Sequence, residues 1–94
     1  MIIQLQDRRI LVNMDTISAV YIPDVDTKKI IFSVTGEDEV YIAGEYNSEA
    51  AAEYMFKCIR DCLMDGTTFF FMHSADDVDD TLARRKTSEG DNVR

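Results

Sequence analysis

The sequence has few of the residues and motifs that most enzymes use for catalysis. It contains one histidine, two cysteines and four glycines in 94 residues. It has no glycine-rich phosphate loop, no serine nucleophile elbow and no HExxH zinc motif. The single histidine, His73, follows a predicted strand and has no assigned partner for general-base chemistry. We therefore predict no enzyme, no catalytic residue and no cofactor; an enzyme that uses carboxylates with His73 is the alternative.

The two cysteines and the aspartates do not form a recognisable metal or redox motif. Cys58 and Cys62 lie one helical turn apart, and a metal site would need two further ligands. Redox pairs usually have two intervening residues near a helix N-terminus, whereas this pair has three and lies near a C-terminus. Asp24 and Asp26 resemble the start of a calcium loop, but Lys28 occupies the next ligand position. We expect small core residues, a polar turn and no metal.

Long apolar runs and excess positive charge are also absent. No run is long enough to span a bilayer, and no signal-peptide pattern is present. The net charge is −8, which disfavours direct binding to nucleic acid or to anionic membranes. The sequence therefore predicts a cytoplasmic protein with reduced thiols, no membrane association and no direct nucleic-acid partner.

The clearest element is an amphipathic helix over residues 47–64. Asn47 or Ser48 is suited to cap its N-terminus, and Gly66 is suited to the left-handed position that ends a helix. Its apolar face consists of side chains at three- and four-residue spacing. They are Ala52, Met55 or Phe56, Ile59 and Leu63, and the face is widened by Ala51, Met55, Cys58 and Cys62. Because a one-sided helix must cover another layer, we expect it to pack on a sheet formed by the preceding residues.

The residues before this helix form short runs of strand-forming residues separated by turns. The runs cover residues 1–6, 10–14, 17–22, 28–35 and 39–43. This pattern predicts an α+β fold in which an antiparallel meander of about five strands packs under the helix. The strand count is open at residues 7–14, which could instead form a loose loop.

Residues 67–72 predict a further, aromatic strand, and the chain after it is poor in bulky aliphatic residues. We therefore predict one domain over residues 1–73 and an acidic, mixed-charge, disordered tail over residues 74–94. A short helix over residues 78–86 is the alternative for part of this tail.

Aromatic residues provide the strongest candidates for binding. The run Phe69, Phe70, Phe71 and Met72 is apolar on both faces of its strand, so one face could form an oligomer interface. Burial of both faces within the monomer is equally compatible with the pattern. Four tyrosines could line a ligand groove, because a tyrosine combines an apolar ring with a polar tip. These are Tyr21, Tyr41, Tyr46 and Tyr54.

Three stretches resemble small uncharacterised proteins of phages and prophages of Gram-positive bacteria. They are the opening MIIQL, the segment AGEYNSEAAAEYMFKCI and the end of the aromatic strand, FFFM. The resemblance implies a meander-plus-helix fold similar to a reduced pleckstrin-homology-like sheet, and an accessory role in the host cytoplasm. It implies no catalytic residue.

Together these features predict a small binding module that self-associates. Its partners would be copies of itself and a host protein or small ligand that it sequesters. The alternative is an acidic mimic of nucleic acid that blocks a host nucleic-acid-binding protein. This alternative rests on twelve acidic against six basic residues in positions 1–73, a net charge of −6.

Overall fold

The computed structural model describes the backbone of residues 1–92 and the side chains of residues 1–85. Within this part, the chain is an α+β protein, as the sequence predicts, with six short strands and two α-helices, of which the sequence predicts only the first. A single turn of 3₁₀-helix, Met14–Thr16, separates the second and third strands. In chain order the elements are β1 (Ile2–Gln4), β2 (Leu11–Asn13), β3 (Ile17–Tyr21), β4 (Lys29–Val34), β5 (Val40–Glu45), α1 (Glu49–Asp65), β6 (Phe69–Phe71) and α2 (Ala75–Asn92).

The strands form two three-stranded sheets. The first has the order β2-β1-β6, and the second is the antiparallel meander β3-β4-β5. In the first sheet, β1 pairs antiparallel with β2 and parallel with β6, so that Ile3 lies opposite both Val12 and Phe70. The five strands expected before the helix are therefore divided between two sheets, because β1 uses its second edge to pair with β6. The region around residues 7–14 forms a turn and a strand.

Gln6 joins the two sheets just after β1. Its backbone amide donates to the carbonyl of Ala43 at 3.0 Å. Its side-chain amide accepts from the amide of Glu45 at 2.8 Å and donates to the carbonyl of Glu45 at 2.9 Å. One glutamine thus supplies the hydrogen bonds that a neighbouring strand would otherwise give to β5.

Helix α1 covers the inner faces of both sheets. Ser48 caps it by accepting from the amide of Ala51 at 3.1 Å, and Gly66 ends it with a φ of 80°. Met55 and Ile59 are buried in one core cluster with Ile3 and other inward residues of both sheets. The capping residues agree with the sequence prediction, and so does the buried face as far as Ile59.

Helix α2 differs from the disordered tail that the sequence predicts after residue 73. Ser74 caps it by accepting from the amide of Asp77 at 3.2 Å. Val78 is buried in the core, and Ala75 and Leu82 pack against the same cluster. These three apolar residues share one face, so a charged segment can still attach to the core. The part of the tail prediction that concerns residues 93–94 and the side chains of residues 86–92 lies outside the described structure.

No helix in the described part of the chain is long and apolar enough to cross a membrane.

Candidate functional site: the outward-facing sheet surfaces

The outer face of the first sheet is mostly apolar although it is exposed. Strand side chains alternate between faces, and the register places Phe69 beside Ile2 and Phe71 beside Gln4 on the side away from the core. Phe69 and Phe71 are each about half exposed, and Leu11 on β2 is more so. We call Ile2, Leu11, Phe69 and Phe71 the first outer face. Exposed apolar groups that adjoin one another commonly mark a site of association.

Strand β6 is also an edge strand of its sheet. The amide of Ile2 donates to the carbonyl of Thr68 at 2.9 Å, and the amide of Met72 donates to the carbonyl of Gln4 at 2.8 Å. Since backbone groups alternate in direction along a strand, those of Phe69 and Phe71 point to the open edge. Among the described strands, none pairs with that edge. It can therefore accept a further strand.

Only part of the predicted Phe69–Met72 interface reaches the surface. Phe70 is partly buried against the core, and Met72 is 4% exposed within it. The alternation expected from the sequence is present, with Phe69 and Phe71 facing outward. Phe70 and Met72 are structural residues that hold β6 on the core, and they are not available as interface side chains.

The four candidate tyrosines do not line a common groove. Tyr46 is buried, and its hydroxyl donates to the carbonyl of His73 at 3.1 Å. Tyr21 lies opposite Ile31, whereas Tyr41 lies opposite Phe32, so the register places them on different faces of the second sheet. The predicted tyrosine groove is therefore wrong, because one of its members is a core residue and two others lie on opposite faces.

Tyr54 is the one candidate tyrosine in a described pocket. This open pocket of about 520 Å³ lies between α1 and α2, and it is lined in part by Tyr54, Lys57 and Arg85. The guanidinium of Arg85 lies 5.4 Å from the centre of the Tyr54 ring, within the range of a cation–π contact. The contact ties α2 to α1.

The surroundings of Cys58 and His73 are those of side chains with a structural role. Burial raises the pKa of the Cys58 thiol, with a smaller opposing effect from its hydrogen bond with Tyr54. A raised pKa reduces the thiolate fraction and hence the reactivity of the sulfur. The imidazole of His73 lies 5.1 Å from the Phe71 ring, centre to centre. The described residues place no three of the His, Cys, Asp and Glu side chains together in a group suited to a metal ion.

The second sheet has an apolar outer face of its own, which sequence reasoning did not single out. The register places Tyr21, Ile31 and Ile42 in one row across β3, β4 and β5. Ile31 is only 8% exposed yet does not belong to the core cluster, so its cover comes from its neighbours on the outside. Val40 and Ile42 are each about half exposed. We call Tyr21, Ile31, Val40 and Ile42 the second outer face.

An apolar groove of about 190 Å³ lies between the second sheet and the last turns of α1. Its lining is Val20, Phe56, Ile59, Arg60, Leu63 and Met64. Leu63 was expected on the core face of the helix, but it is 46% exposed. The covered part of that face therefore ends near Ile59.

Comparison of the chain with family models, curated proteins and solved structures finds no match. The surfaces described above are therefore the basis for a functional assignment.

Proposed function

We propose that this protein is a non-enzymatic binding module that self-associates through β6 and the first outer face. The observation behind the proposal is an edge strand with an open backbone edge and two half-exposed phenylalanines, Phe69 and Phe71. Association would remove these rings from water at a gain of about 25 cal/mol for each Å² of apolar surface. The turn between β1 and β2 has Arg8 and Arg9 against only Asp7, so this turn adds no net negative charge to the repulsion between two copies.

The backbone directions favour one arrangement, an antiparallel pairing of β6 with β6 of a second copy, centred on Phe70. Phe69 of one copy would then lie opposite Phe71 of the other, and each such pair would exchange two backbone hydrogen bonds. The β2-β1-β6 sheets of the two copies would join into one continuous six-stranded sheet with four phenylalanines on its outer face. Such a dimer is symmetric and closed.

The resemblance to phage and prophage proteins makes an accessory role part of this proposal. In that role the dimer would sequester a host protein or a small ligand. The two described pockets and the second outer face are the surfaces left for such a partner once β6 is paired.

The test is the oligomeric state of the full chain, measured by native mass spectrometry and by sedimentation at tens of micromolar. We expect a dimer for the unmodified protein. The variant Phe71→Pro removes one of the two backbone donors on the open edge together with one of the rings. It leaves the bonds from Phe70 to β1 intact, since an edge strand tolerates proline on its open side. We expect this variant to be a folded monomer.

A second variant, Phe69→Thr/Phe71→Thr, removes both rings and keeps residues with strand propensity. Its matched control is Tyr21→Thr, which removes an exposed aromatic ring from the other sheet. We expect the double variant to weaken dimerisation by at least about tenfold and the control to leave it unchanged. A monomeric unmodified chain, or a dimer that persists in Phe71→Pro, would refute pairing through β6.

A further inference from the structure

The second outer face is an exposed surface that self-association through β6 does not use. Tyr21 and Ile42 are 41% and 49% exposed, and the register places them on either side of Ile31 on the central strand. The inner face of the same sheet is already covered by α1. A sheet with apolar side chains on both faces is stabilised by a layer packed on each face. Among the described residues, such a layer is present on the inner face alone.

The segment that forms the second sheet is strongly acidic. Positions 15–45, which comprise β3, β4, β5 and their turns, contain seven acidic residues and two lysines, a net charge of −5. Three of these acids, Glu37, Asp38 and Glu39, are exposed in the turn directly before Val40. Lys29 is engaged in an ion pair with Asp26 at 3.3 Å. More than half of the net charge of the chain therefore lies in the segment that forms this sheet and its turns.

We propose that the second outer face binds a basic amphipathic segment of another protein. The apolar side of that segment would cover Tyr21, Ile31 and Ile42, and its lysines or arginines would lie beside the acids of the β4–β5 turn. This recognition combines burial of apolar surface with complementary charge, of which the second increases the rate of association and the specificity.

The charge also indicates which occupants are disfavoured. A second copy of this chain would place its own net −5 against that of the first copy, and like charges oppose such contact. Nucleic acid is repelled for the same reason. The proposal differs from the acidic-mimic hypothesis, in which carboxylates alone replace phosphates, because here the apolar row is part of the recognition.

A suitable probe is a synthetic helical peptide with leucines on one side and lysines on the other. Strand β4 has six residues and is about 20 Å long, which matches a helix of about 14 residues. Two control peptides are needed. One has the same composition with the leucines dispersed around the helix, and the other has glutamate in place of every lysine.

The experiment is a titration of the isotope-labelled full chain with each peptide, followed by amide chemical shifts. We expect saturable shifts over β3, β4 and β5 with the amphipathic basic peptide, and weaker binding by about tenfold in high salt. We expect at least about tenfold weaker binding of the dispersed peptide and no binding of the acidic one.

Variants of the protein separate the apolar contribution from the charge contribution. Val40→Thr/Ile42→Thr keeps β-branched side chains and should weaken binding about tenfold; Val25→Thr, in the exposed β3–β4 turn, is its control. Glu37→Gln/Glu39→Gln should weaken binding at low salt several-fold. Its control, Glu53→Gln/Asp61→Asn, removes the same charge from α1 in the opposite layer.

Four outcomes would overturn the proposal. They are an absence of binding at low salt, shifts centred on the helices, unchanged binding in Val40→Thr/Ile42→Thr, and equal binding of the dispersed peptide. The last two would indicate recognition by charge alone. None of these outcomes bears on the dimer through β6, whose test is the oligomeric state.

Discussion

At the scale of single residues, Tyr46 connects three parts of the chain. Its ring is buried at the entry to α1, and its hydroxyl donates to the carbonyl of His73 at 3.1 Å, just after β6. Gly44 lies beneath it, since a Cβ atom there would be 2.7 Å from the tyrosine hydroxyl oxygen. The glycine in β5 is thus explained by the close approach of this ring. No local sequence pattern indicates the hydrogen bond from Tyr46 to His73, because the two residues are 27 positions apart.

Tyr46 leads to a prediction about alkaline pH. Burial is the main cause that raises its pKa above the ordinary value of 10.0. Above pH 10, the unfolded chain therefore loses this proton while the folded chain keeps it. The stabilising effect is complete below pH 10 and is lost as the pH rises through the folded-state pKa. We expect the free energy of unfolding, measured by urea denaturation between about pH 8 and pH 11.5, to fall above pH 10.

The variant Tyr46→Phe isolates this effect. It should cost about 1 kcal/mol at neutral pH through the lost hydrogen bond, and it should show a shallower decline above pH 10. Tyr21→Phe, at an exposed position, is the control and should keep the full decline. Cys58 adds a loss of the same sign beginning near its ordinary value of 9.0, because burial raises its pKa too. Equal slopes for the unmodified chain and Tyr46→Phe would contradict the assignment.

At the scale of elements, α2 is the main departure from the sequence prediction. Val78 is 1% exposed and packs into the core cluster. We predict that Val78→Ala lowers the free energy of unfolding by about 2 kcal/mol, through lost burial and the resulting cavity. Val25→Ala, at a residue that is 96% exposed, should change it by less than about 0.5 kcal/mol. Urea denaturation of both variants checks this, and equal stabilities would support the disordered tail.

The other elements were more accessible to prediction because their signals are local. Residues 47–64 combine a capping serine, a periodic apolar face and a terminal glycine, and α1 lies within a few residues of that range. Alternation in FFFM predicted that Phe69 and Phe71 share one face and Phe70 and Met72 the other, but not which face is exposed. For α2, the spacing of Ala75, Val78 and Leu82 was the available signal, but four aspartates among them resemble a solvated tail. Whether such a segment packs on the core as a helix depends more on the apolar residues of one face than on its mean composition.

At the scale of the whole molecule, the excess of acidic groups should make stability depend on salt. The chain has 18 acidic and 10 basic residues, and each of the four ion pairs described involves surface side chains. Most carboxylates therefore repel one another, and salt screens this repulsion. We predict that the free energy of unfolding rises by about 1 kcal/mol between low and moderate NaCl concentrations.

This salt measurement is best made on Phe71→Pro, so that changes in self-association do not contribute. Glu37→Gln/Glu39→Gln in the same background should show a smaller rise, because it removes two charges from the most acidic part of the surface. A stability that falls with salt would indicate that attractive pairs dominate, contrary to the prediction.

The assembly of the two sheets was less accessible to sequence reasoning than the elements themselves. A meander is the simplest connection of short strands, and β3, β4 and β5 follow it. The parallel contact between β1 and β6 joins distant parts of the chain, and no local pattern specifies it. The second outer face was also missed, since a strand with apolar residues on both sides is equally compatible with a buried position.

The contact between β1 and β6 also has a consequence for synthesis and folding. Ile3 lies beside Phe70, so the first sheet cannot be completed until most of the described chain has left the ribosome. Until then β1 has only β2 as a partner, and an isolated two-stranded hairpin is at best marginally stable in water. Closing such a long loop slows folding and prolongs the exposure of apolar strands. We therefore expect the nascent chain to need chaperones until residues 69–71 have emerged.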